Sequence, residues 1–367
     1  MIKYYMPAKI FAGSKSVETN SELFGSLGSC CLILTGASSA VKSGALADVT
    51  AALEAQNINF SVFNEIGSNP LLTACMLAGK AAVEAGADFI IGIGGGSVLD
   101  AAKAAAVFAS NPELDEAAFY STVWPVKPLP VVLVGTTSGT GSEVTKVAVL
   151  TDSRGRKHSL HDNRLYACAS FGDPAYTMSL PLKVTLSTGI DIFAHCAESF
   201  FSKKADSLTK SFAVEGIRLL YAPLLAAAEG KELSFEQREQ LYEASVFGGL
   251  AINATGTCFP HNMGYYLTES FGIPHGFACN EFIPDMLEYV KTAAPETAEE
   301  FYSLIGIPED KLLELSALCS SGASVCLSEA EIEALLPRWE NNGSVKNTLG
   351  SVSTQEIRSI LKKHFLK

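Results

Sequence analysis

The sequence of 367 residues carries little charge, and the charge it has is mostly of one sign. Only 18% of its residues are Asp, Glu, Lys or Arg, and the formal net charge at pH 7 is −12. The sequence has no run of basic residues that could form an extended surface for a phosphate backbone, which argues against nucleic acid as a partner. The 48% of hydrophobic residues excludes a disordered chain and is typical of a globular protein.

Signals for secretion and for membrane insertion are also missing. No CxxC pair occurs among the nine cysteines, an odd number, so we expect no disulfide framework. The segment from Met1 to Ile10 lacks an apolar core of signal-peptide length. The longest uncharged stretch, Ala244 to Thr268, contains Asn253, Pro260 and His261, which favours a buried helix entering a polar site over a membrane span. We expect a cytoplasmic protein without a membrane partner.

Strand and helix signals alternate in the first half of the chain. Two segments there have helical composition, Leu71 to Ala85 and Val98 to Ala109. Such alternation predicts a largely parallel sheet with crossover helices. The predicted strands are short, apolar, β-branched runs bounded by Gly, Asn or Pro: Cys30 to Leu34, Asn59 to Phe63, Phe89 to Ile93, and Val131 to Val134.

Beyond about residue 180 the strand signal disappears and every segment has a helical pattern. Capping boxes at Ser328 with Glu331, and at Ser353 with Glu356, predict two of the late helix starts. We therefore predict an α/β dinucleotide-binding domain over residues 1–175 and an all-α domain over residues 176–367. The first three helices predicted in the second domain are Leu186 to Ser202, Leu208 to Glu229, and Glu236 to Ile252.

A glycine-rich loop follows the third predicted strand and opens a helix. It holds Gly94, Gly95, Gly96 and Ser97, and Asp100 comes in the first turns of the helix. The glycines admit a close ligand, and the helix N-terminus offers N–H groups to an anion. The loop lacks the third glycine of the usual dinucleotide fingerprint. A tight strand-to-helix turn without a ligand remains the alternative.

A second polar loop follows the fourth predicted strand. It contains Thr136, Thr137, Thr140 and Ser142, but no Lys precedes Ser142 as a phosphate-binding Walker loop requires. Taken alone, such a loop is usually only a connection. Two polar loops after two buried strands favour one ligand that bridges the ends of neighbouring strands, and we expect a dinucleotide there.

Four residues are candidates for a metal site. Asp191 and His195 are four apart in a predicted helix and share a face that is otherwise apolar. This pair alone is explained better by a helix-terminal Asp and a hydrogen-bonded core His. Together with His261 and His275, however, the pair forms a plausible nitrogen and oxygen site for Fe(II) or Zn(II) with a position left for a substrate oxygen.

Several motifs, in order along the chain, resemble the iron-containing (group III) alcohol dehydrogenase family. The resemblance covers most of the chain and is strongest from residue 88 to 290. The matching segments are Gly94 to Lys103 for GGGSxxDxxK, Thr136 to Thr145 for TTxGTGSEVT, and Pro274 to Gly276 for PHG. The segment from Gly189 to Glu198 resembles the family's GxDAxxHAxE.

This resemblance implies a fold, an activity and a ligand set. The fold is dehydroquinate synthase-like, with a dinucleotide-binding domain before a helical one. The activity is that of an NAD(P)-dependent oxidoreductase acting on CH–OH groups, in which the metal polarises the oxygen of a small alcohol or aldehyde and the nicotinamide exchanges a hydride. The family's ligands correspond to Asp191, His195, His261 and His275. We also expect a homodimer.

The chain departs from the family pattern at two positions. Tyr265 stands where the family usually has a second histidine, four residues after His261. We expect Tyr265 near the metal and the nicotinamide, where it either relays a proton or only packs against the cofactor. A tyrosine hydroxyl, with an ordinary pKa of about 10, is a weaker base than imidazole at neutral pH.

The second departure is Gly36, which replaces the family's NAD-type Asp after the first predicted strand. Ser38, Ser39 and Lys42 follow, and they offer hydroxyls and a positive charge to a 2′-phosphate. We therefore predict a preference for NADP(H) over NAD(H). A turn of small residues that accepts both cofactors is the alternative.

Other functions within this fold stay open at the level of sequence. A glycerol-dehydrogenase-like polyol oxidoreductase would lack His195 as a ligand, and a dehydroquinate-synthase-like lyase would have Glu in place of Asp191. A phosphonate-aldehyde or semialdehyde reductase of the same family is not distinguished by any residue. A non-catalytic binding protein is a remote alternative, because all four ligand positions are filled.

Overall fold

The computed structural model describes residues 2–366, and the chain divides into two compact units. The sheet unit comprises Tyr5–Pro181 and Ser234–Gly249. The helical unit comprises the N-terminal residues up to Tyr4, Leu182–Leu233, and the chain from Leu250 onwards. The boundary predicted after residue 175 therefore differs from this division by a few residues, and the predicted all-α domain includes residues 234–249, which pack with the sheet unit. As a statement about separate folding domains, the division at 175 stays a prediction.

A six-stranded sheet forms the centre of the sheet unit. Its strands run in the order β1-β8-β5-β4-β2-β3, and every neighbouring pair is parallel. The predicted parallel sheet is confirmed. Its strands are β1 (Lys9–Ala12), β2 (Cys30–Thr35), β3 (Asn59–Phe63), β4 (Phe89–Gly94), β5 (Val131–Gly135) and β8 (Ala169–Gly172), and a separate antiparallel pair is formed by β6 (Val147–Thr151) and β7 (Lys157–His161).

Helices cover both faces of the sheet, which explains why its central strands are continuously apolar. Along β2, Leu32 and Leu34 belong to one buried cluster, whereas Cys31 and Ile33 belong to another on the opposite face. The helices of this unit that precede residue 182 are α1 (Ser16–Thr19), α2 (Glu22–Gly25), α3 (Ser39–Lys42), α4 (Ala45–Ala55), α5 (Leu72–Glu84), α6 (Gly96–Ser110) and α7 (Glu116–Tyr120), with 3-10 turns at Ser142–Val144, Asn163–Leu165 and Pro174–Thr177.

The helical unit has no named strand among the described residues, as the sequence predicted. Both capping boxes are present, with Ser328 accepting from the Glu331 amide and Ser353 from the Glu356 amide. The helices from residue 182 onwards are α8 (Leu182–Phe200), α9 (Ser207–Ala228), α10 (Phe235–Thr255), α11 (Phe259–Phe271), α12 (His275–Asn280), α13 (Ile283–Ala293), α14 (Pro295–Ile305), α15 (Glu309–Leu318), α16 (Glu329–Leu335), α17 (Pro337–Glu340), α18 (Gly343–Asn347) and α19 (Thr354–Phe365).

Among the described residues, one helix is long and apolar enough to cross a membrane, and it is α9. Half of its apolar window is buried, it contains Pro223, and it packs against α8, α14 and α15. The core helix of a globular unit meets the same criteria of length and composition. The uncharged stretch from Ala244 to Thr268 includes the end of α10 and most of α11, where it reaches His261. The stretch therefore consists of parts of two helices rather than one, and the second of them carries His261.

His364 near the end of α19 forms a charged clamp with Glu281 and Asp285. Its Nδ1 is 3.0 Å from Glu281 Oε1, and its Nε2 is 2.6 Å from Asp285 Oδ2. Lys363 donates to the other oxygen of Asp285 at 2.8 Å. Burial alone would lower the pKa of His364, but the two carboxylates raise it to about 9. The imidazole is therefore protonated in the folded protein at neutral pH.

We expect this clamp to make the stability depend on pH between about 6.5 and 9. Because the folded pKa exceeds the unfolded one, the stabilisation is complete below the unfolded value and is lost as pH rises through about 9. Over this pH range the free energy of unfolding, measured in urea, should fall by about 2 kcal/mol more for the wild type than for His364→Gln. Equal pH dependence in the two proteins would contradict the assignment.

Candidate active site

Three predicted cofactor loops lie at the same edge of the sheet. In the register of the strands, Thr35 is opposite Ile93, and Gly94 is opposite Gly135, so β2, β4 and β5 end together. The chain passes from β2 to β3 on one side and then returns to β4 on the other side. The carboxyl edge at such a switch point is where open α/β sheets bind their ligands. The loops that follow these three strands are the ones that the sequence predicts to bind the dinucleotide.

Close packing explains the glycines of the loop after β4. A Cβ added to Gly96 would lie 2.6 Å from the methyl group of Thr140, and one added to Gly95 would lie 3.1 Å from Thr137. The Thr136 amide also donates to Gly94 O at 3.0 Å. These glycines therefore let the two polar loops touch, and the loop opens α6 at Gly96.

Two hydroxyl groups of the loop after β5 lack a hydrogen-bond partner among the described residues. They are Thr136 Oγ1 and Ser138 Oγ, in side chains that are 1% and 5% exposed. Buried hydroxyls in proteins are normally hydrogen-bonded, and an unsatisfied one costs free energy. A polar ligand at this edge of the sheet would satisfy them, so the loop fits a dinucleotide.

Asp100 and Ser142 are occupied within the protein. Ser142 Oγ donates to Asp100 Oδ1 at 2.5 Å, and the Val149 amide donates to Asp100 Oδ2 at 2.9 Å. Lys103 Nζ donates to Ser142 O at 2.8 Å and to Val147 O at 2.6 Å. These buried bonds join α6 to the loop after β5. A direct contact of Asp100 or Ser142 with a cofactor stays a prediction, and so do contacts of Ser97, whose hydroxyl accepts from the Asn69 amide.

The segment after β2 is small and open. Ser38, Ser39 and Lys42 are exposed on or beside α3. A Cβ added to Gly36 would lie 3.3 Å from Ile66 O and farther from all other atoms, and Gly36 does not have a left-handed backbone. A side chain at position 36 therefore fits with a small adjustment.

The predicted metal ligands converge within the helical unit. Asp191 and His195 lie one turn apart on α8, while His261 is in α11 and His275 begins α12. All three imidazoles turn Nε2 towards Asp191 Oδ1, at 3.9 Å for His195, 3.5 Å for His261 and 4.0 Å for His275. The structure thus brings the four predicted residues together, and their role as metal ligands stays a prediction.

These separations are long for hydrogen bonds and suit ligands of a shared cation. Two donor atoms, each about 2.1 Å from a metal and separated by a tetrahedral angle, lie about 3.4 Å apart. Among the described residues, Asp191 Oδ1 and His261 Nε2 are buried without a hydrogen-bond partner. A divalent cation would satisfy both atoms, so the residues present fit the metal that the sequence predicts.

The electrostatics of the cluster favour a positive charge. Burial would raise the pKa of Asp191, but the facing imidazoles of His195, His275 and His261 hold that pKa well below its usual range. Burial would lower the pKa of His261, but Cys279 and Glu198 raise it well above the usual value. Protons and metal cations compete for such a site, and a metal needs the deprotonated ligands.

Gly276 allows α12 to approach α8. A Cβ on Gly276 would lie 1.8 Å from Ser187 O and 3.0 Å from the Cβ of Asp191. Only glycine avoids this overlap with the backbone of α8. The glycine in the Pro274 to Gly276 motif therefore brings His275 within reach of Asp191.

Cys279 is a possible donor that sequence reasoning missed. Asp191, His261, His275 and Cys279 form a group whose donor atoms all lie within 4.8 Å of one another. His195 lies outside that group, although its Nε2 is as close to Asp191 Oδ1 as that of His275 and its ring stacks on His261 with centroids 4.7 Å apart. Because its ring nitrogen faces the same carboxylate oxygen, His195 stays a predicted ligand.

Two further residues contact the ligands. The Tyr265 ring stacks on His275, with centroids 5.4 Å apart and planes at 19°. The prediction that Tyr265 lies near the metal ligands agrees with this position, whereas its position relative to a nicotinamide stays a prediction. Glu198, which the sequence offered only as part of a motif, hydrogen-bonds His261 Nδ1. Its role could not be read from spacing, since its partner is 63 positions away.

A parallel sheet with dinucleotide loops, together with a buried cluster of Asp and His, defines a class of metal-dependent dehydrogenases. Models of the iron-containing alcohol dehydrogenase family match residues 7–174, and those of its C-terminal domain match residues 185–325. The chain belongs to the iron-containing alcohol dehydrogenase family. It is an oxidoreductase that acts on CH–OH groups. This assignment removes the lyase alternative.

Relatives and solved structures agree with the assignment. The chain is 33% identical to sulfoacetaldehyde reductase of Bilophila wadsworthia over 80% of this chain and 76% of the relative. It is 31% identical to long-chain-alcohol dehydrogenase 1 of Geobacillus thermodenitrificans over 86% and 78% of the two chains. The crystal structure of an iron-containing alcohol dehydrogenase from Thermotoga maritima matches with a TM-score of 0.91 and 33% identity, covering 100% of this chain and 99% of that one.

Proposed function

We propose that this protein is a reductase of small aldehydes that holds Fe(II) or Zn(II) with Asp191, His195, His261 and His275. The observation that carries the proposal is the convergence of three imidazole nitrogens on Asp191 Oδ1, an atom buried without a hydrogen-bond partner among the described residues. The presence of His195 in this cluster favours an alcohol dehydrogenase over a glycerol-dehydrogenase-like enzyme. The reverse reaction oxidises the corresponding alcohol.

The chain's own residues divide the work of binding and orientation. When bound, the metal supplies Lewis-acid polarisation of the substrate oxygen, and the nicotinamide supplies the hydride. Thr136 and Ser138 offer buried hydroxyls to the cofactor. Gly95 and Gly96 let the loop after β4 pack against the loop that carries these hydroxyls. Imidazole and carboxylate groups suit both Fe(II) and Zn(II), so the donor set leaves the choice of metal open.

The proposed cofactor is NADP(H) in preference to NAD(H). The support is the absence of a side chain at Gly36 and the exposure of Ser38, Ser39 and Lys42 beside it. Sulfoacetaldehyde reductase from Bifidobacterium kashiwanohense, which has 27% identity and a TM-score of 0.86 over 99% of this chain and 98% of that one, was solved with NAD+. Cofactor choice in this chain is therefore proposed from its own residues. We further propose a cytoplasmic homodimer, in line with the family.

The experiment is a reduction screen with the metal controlled. Metal-free protein is supplied separately with Fe(II) and with Zn(II), and the absorbance of NADH or NADPH is followed with short aldehydes, a long-chain aldehyde and sulfoacetaldehyde. We include sulfoacetaldehyde because a relative with 33% identity is named sulfoacetaldehyde reductase. Turnover only after a metal is added supports the proposal. Absence of turnover with both metals across the panel, in a protein that binds both metal and cofactor, would refute it.

Tyr265→Phe should separate proton transfer from packing. The variant keeps a ring against His275 and removes only the hydroxyl group. If that hydroxyl relays a proton, we expect kcat to fall about 10-fold or more and the pH–rate profile to change shape. Tyr266→Phe is the matched control, because the neighbouring Tyr266 packs instead against Phe271 and Trp339. An unchanged profile in Tyr265→Phe would leave only a packing role.

A further inference from the structure

Glu198 lies on the same face of α8 as two of the proposed metal ligands. Asp191, His195 and Glu198 are at positions i, i+4 and i+7, so successive turns of the helix present them together. The Glu198 side chain is 0% exposed. A carboxylate this deeply buried is costly unless every oxygen has a strong partner.

Both Glu198 oxygens form hydrogen bonds with residues at the start of α11. Oε1 is hydrogen-bonded to the Nδ1 atom of His261. Oε2 accepts from the Cys258 amide at 2.6 Å and from the His261 amide at 3.4 Å. Cys258 is the N-cap residue of α11, and its own side chain makes no capping bond. Glu198 therefore caps α11 from another helix, where amide groups and the helix dipole favour a negative charge.

The same carboxylate selects the tautomer of His261. An imidazole that donates from Nδ1 to a carboxylate carries its lone pair on Nε2 when neutral. In His261, Nε2 is the nitrogen that faces Asp191 Oδ1 at 3.5 Å. The hydrogen bond also fixes the plane of the ring, and a carboxylate partner makes the imidazole a better ligand.

We propose that Glu198 is a positioning residue that holds α11 and the His261 ring in the arrangement that binds the metal. The proposal rests on the proposed function, since it needs a metal at Asp191 and the three histidines. Glu198 itself does not touch the metal in this role, because its oxygens are used by Cys258 and His261. Its effect passes through the tautomer, the ring orientation and the charge next to the ligand.

Glu198→Gln is the sharpest test. The amide has one oxygen, so it accepts either from His261 Nδ1 or from the Cys258 amide and presents an NH₂ donor to the other. We expect the affinity for Co(II), measured by competition with a chelator, to fall about 10- to 100-fold. The visible spectrum of the bound Co(II) should also change, because the geometry of the ligands changes. Glu198→Asp keeps the charge on a shorter side chain, and its affinity should fall less.

The control is Ser199→Ala on the same helix. Ser199 Oγ is buried and accepts a hydrogen bond from Thr255 Oγ1 at 3.0 Å, away from the ligands. Its loss should lower the stability of the metal-free protein without a change in Co(II) affinity. Thermal unfolding of each metal-free variant measures the structural part of the effect separately.

The outcomes distinguish the positioning role of Glu198 from the proposed function of the protein. If wild type binds Co(II) and Glu198→Gln binds it within about twofold with the same spectrum, the positioning role is wrong and the proposed function stands. A Glu198→Gln variant that only loses stability, as Ser199→Ala does, also overturns the role. Should Glu198→Gln fail to fold, the same comparison is made with Glu198→Asp, for which unchanged affinity is the overturning result. Wild type that binds no Co(II), Fe(II) or Zn(II) would refute the proposed function itself.

Discussion

His261→Ala and His275→Ala are expected to lose the bound metal and to lower kcat/KM by about 1,000-fold or more. Each change removes one of the four convergent donors and leaves only three to hold the metal. Polarisation of a carbonyl oxygen by a metal contributes several kcal/mol to the transition state, which corresponds to this loss in rate. Metal content by elemental analysis and steady-state kinetics with one aldehyde measure the two effects.

We expect both variants to stay folded. The ligands lie on three helices, α8, α11 and α12, which pack together through apolar residues and the close contact at Gly276. A metal is therefore not the only support of this unit, in contrast to small zinc domains that unfold without it. A single cooperative thermal transition should remain, with a shift of a few degrees.

His158→Ala is the control for these variants. The His158 side chain is 49% exposed on β7 and pairs with Asp152 at 2.9 Å, so it belongs to a different part of the chain. This variant should retain both metal and activity. Full activity of the wild-type protein after complete removal of the metal would contradict the proposed chemistry, whatever the variants show.

The sequence predicted the longer strands of the six-stranded sheet and missed the two shortest ones. Strands β2, β3, β4 and β5 were found within one residue at each end, because their apolar runs are bounded by turn residues. Strands β1 and β8 have four residues each and were not predicted. In β1, Lys9 and Ala12 are exposed and Ile10 and Phe11 half-buried, so the run carries little apolar signal. Its place beside β8 is set by tertiary pairing.

The candidate site also contains residues that the sequence could identify and residues that it could not. Asp191 and His195 were recognisable because a helix brings positions i and i+4 together. Glu198 was not, since its significance arises from contact with His261 on another helix. Cys279 was missed although it lies one turn after His275 on α12, at the same spacing. Asp100 shows the opposite case, in which a residue in a cofactor motif has both oxygens occupied within the protein. Sequence motifs identify the neighbourhood of a site more reliably than the role of each member.

Gly36→Asp should reverse the choice of cofactor. We expect wild type to have a kcat/KM for NADPH above that for NADH, measured with one aldehyde at fixed ionic strength. An aspartate at position 36 would repel a 2′-phosphate and accept hydrogen bonds from the ribose hydroxyls of NAD(H). Two like charges a few ångströms apart in a partly solvated site should lower the NADPH to NADH ratio about 10- to 100-fold.

The backbone at position 36 accommodates an aspartate, so a change in cofactor choice in Gly36→Asp can be attributed to its side chain. Gly36 does not have the left-handed backbone that only glycine adopts easily, and the nearest atom to an added Cβ is Ile66 O at 3.3 Å. That oxygen must move by a few tenths of an ångström, and the cost is the same for any side chain with a Cβ at this position. Gly36→Ala measures that cost alone, and it should affect both cofactors equally.

Gly36→Asn completes the comparison, because it has the shape of aspartate without the charge. If charge repulsion controls the choice, Gly36→Asn should keep most of the preference for NADPH, and the difference between Asn and Asp should shrink as salt is added. If steric bulk controls it, Asn and Asp should lower the ratio alike. A wild-type ratio below one would defeat the predicted preference at the outset, since Ser38, Ser39 and Lys42 would then provide no net attraction for a 2′-phosphate.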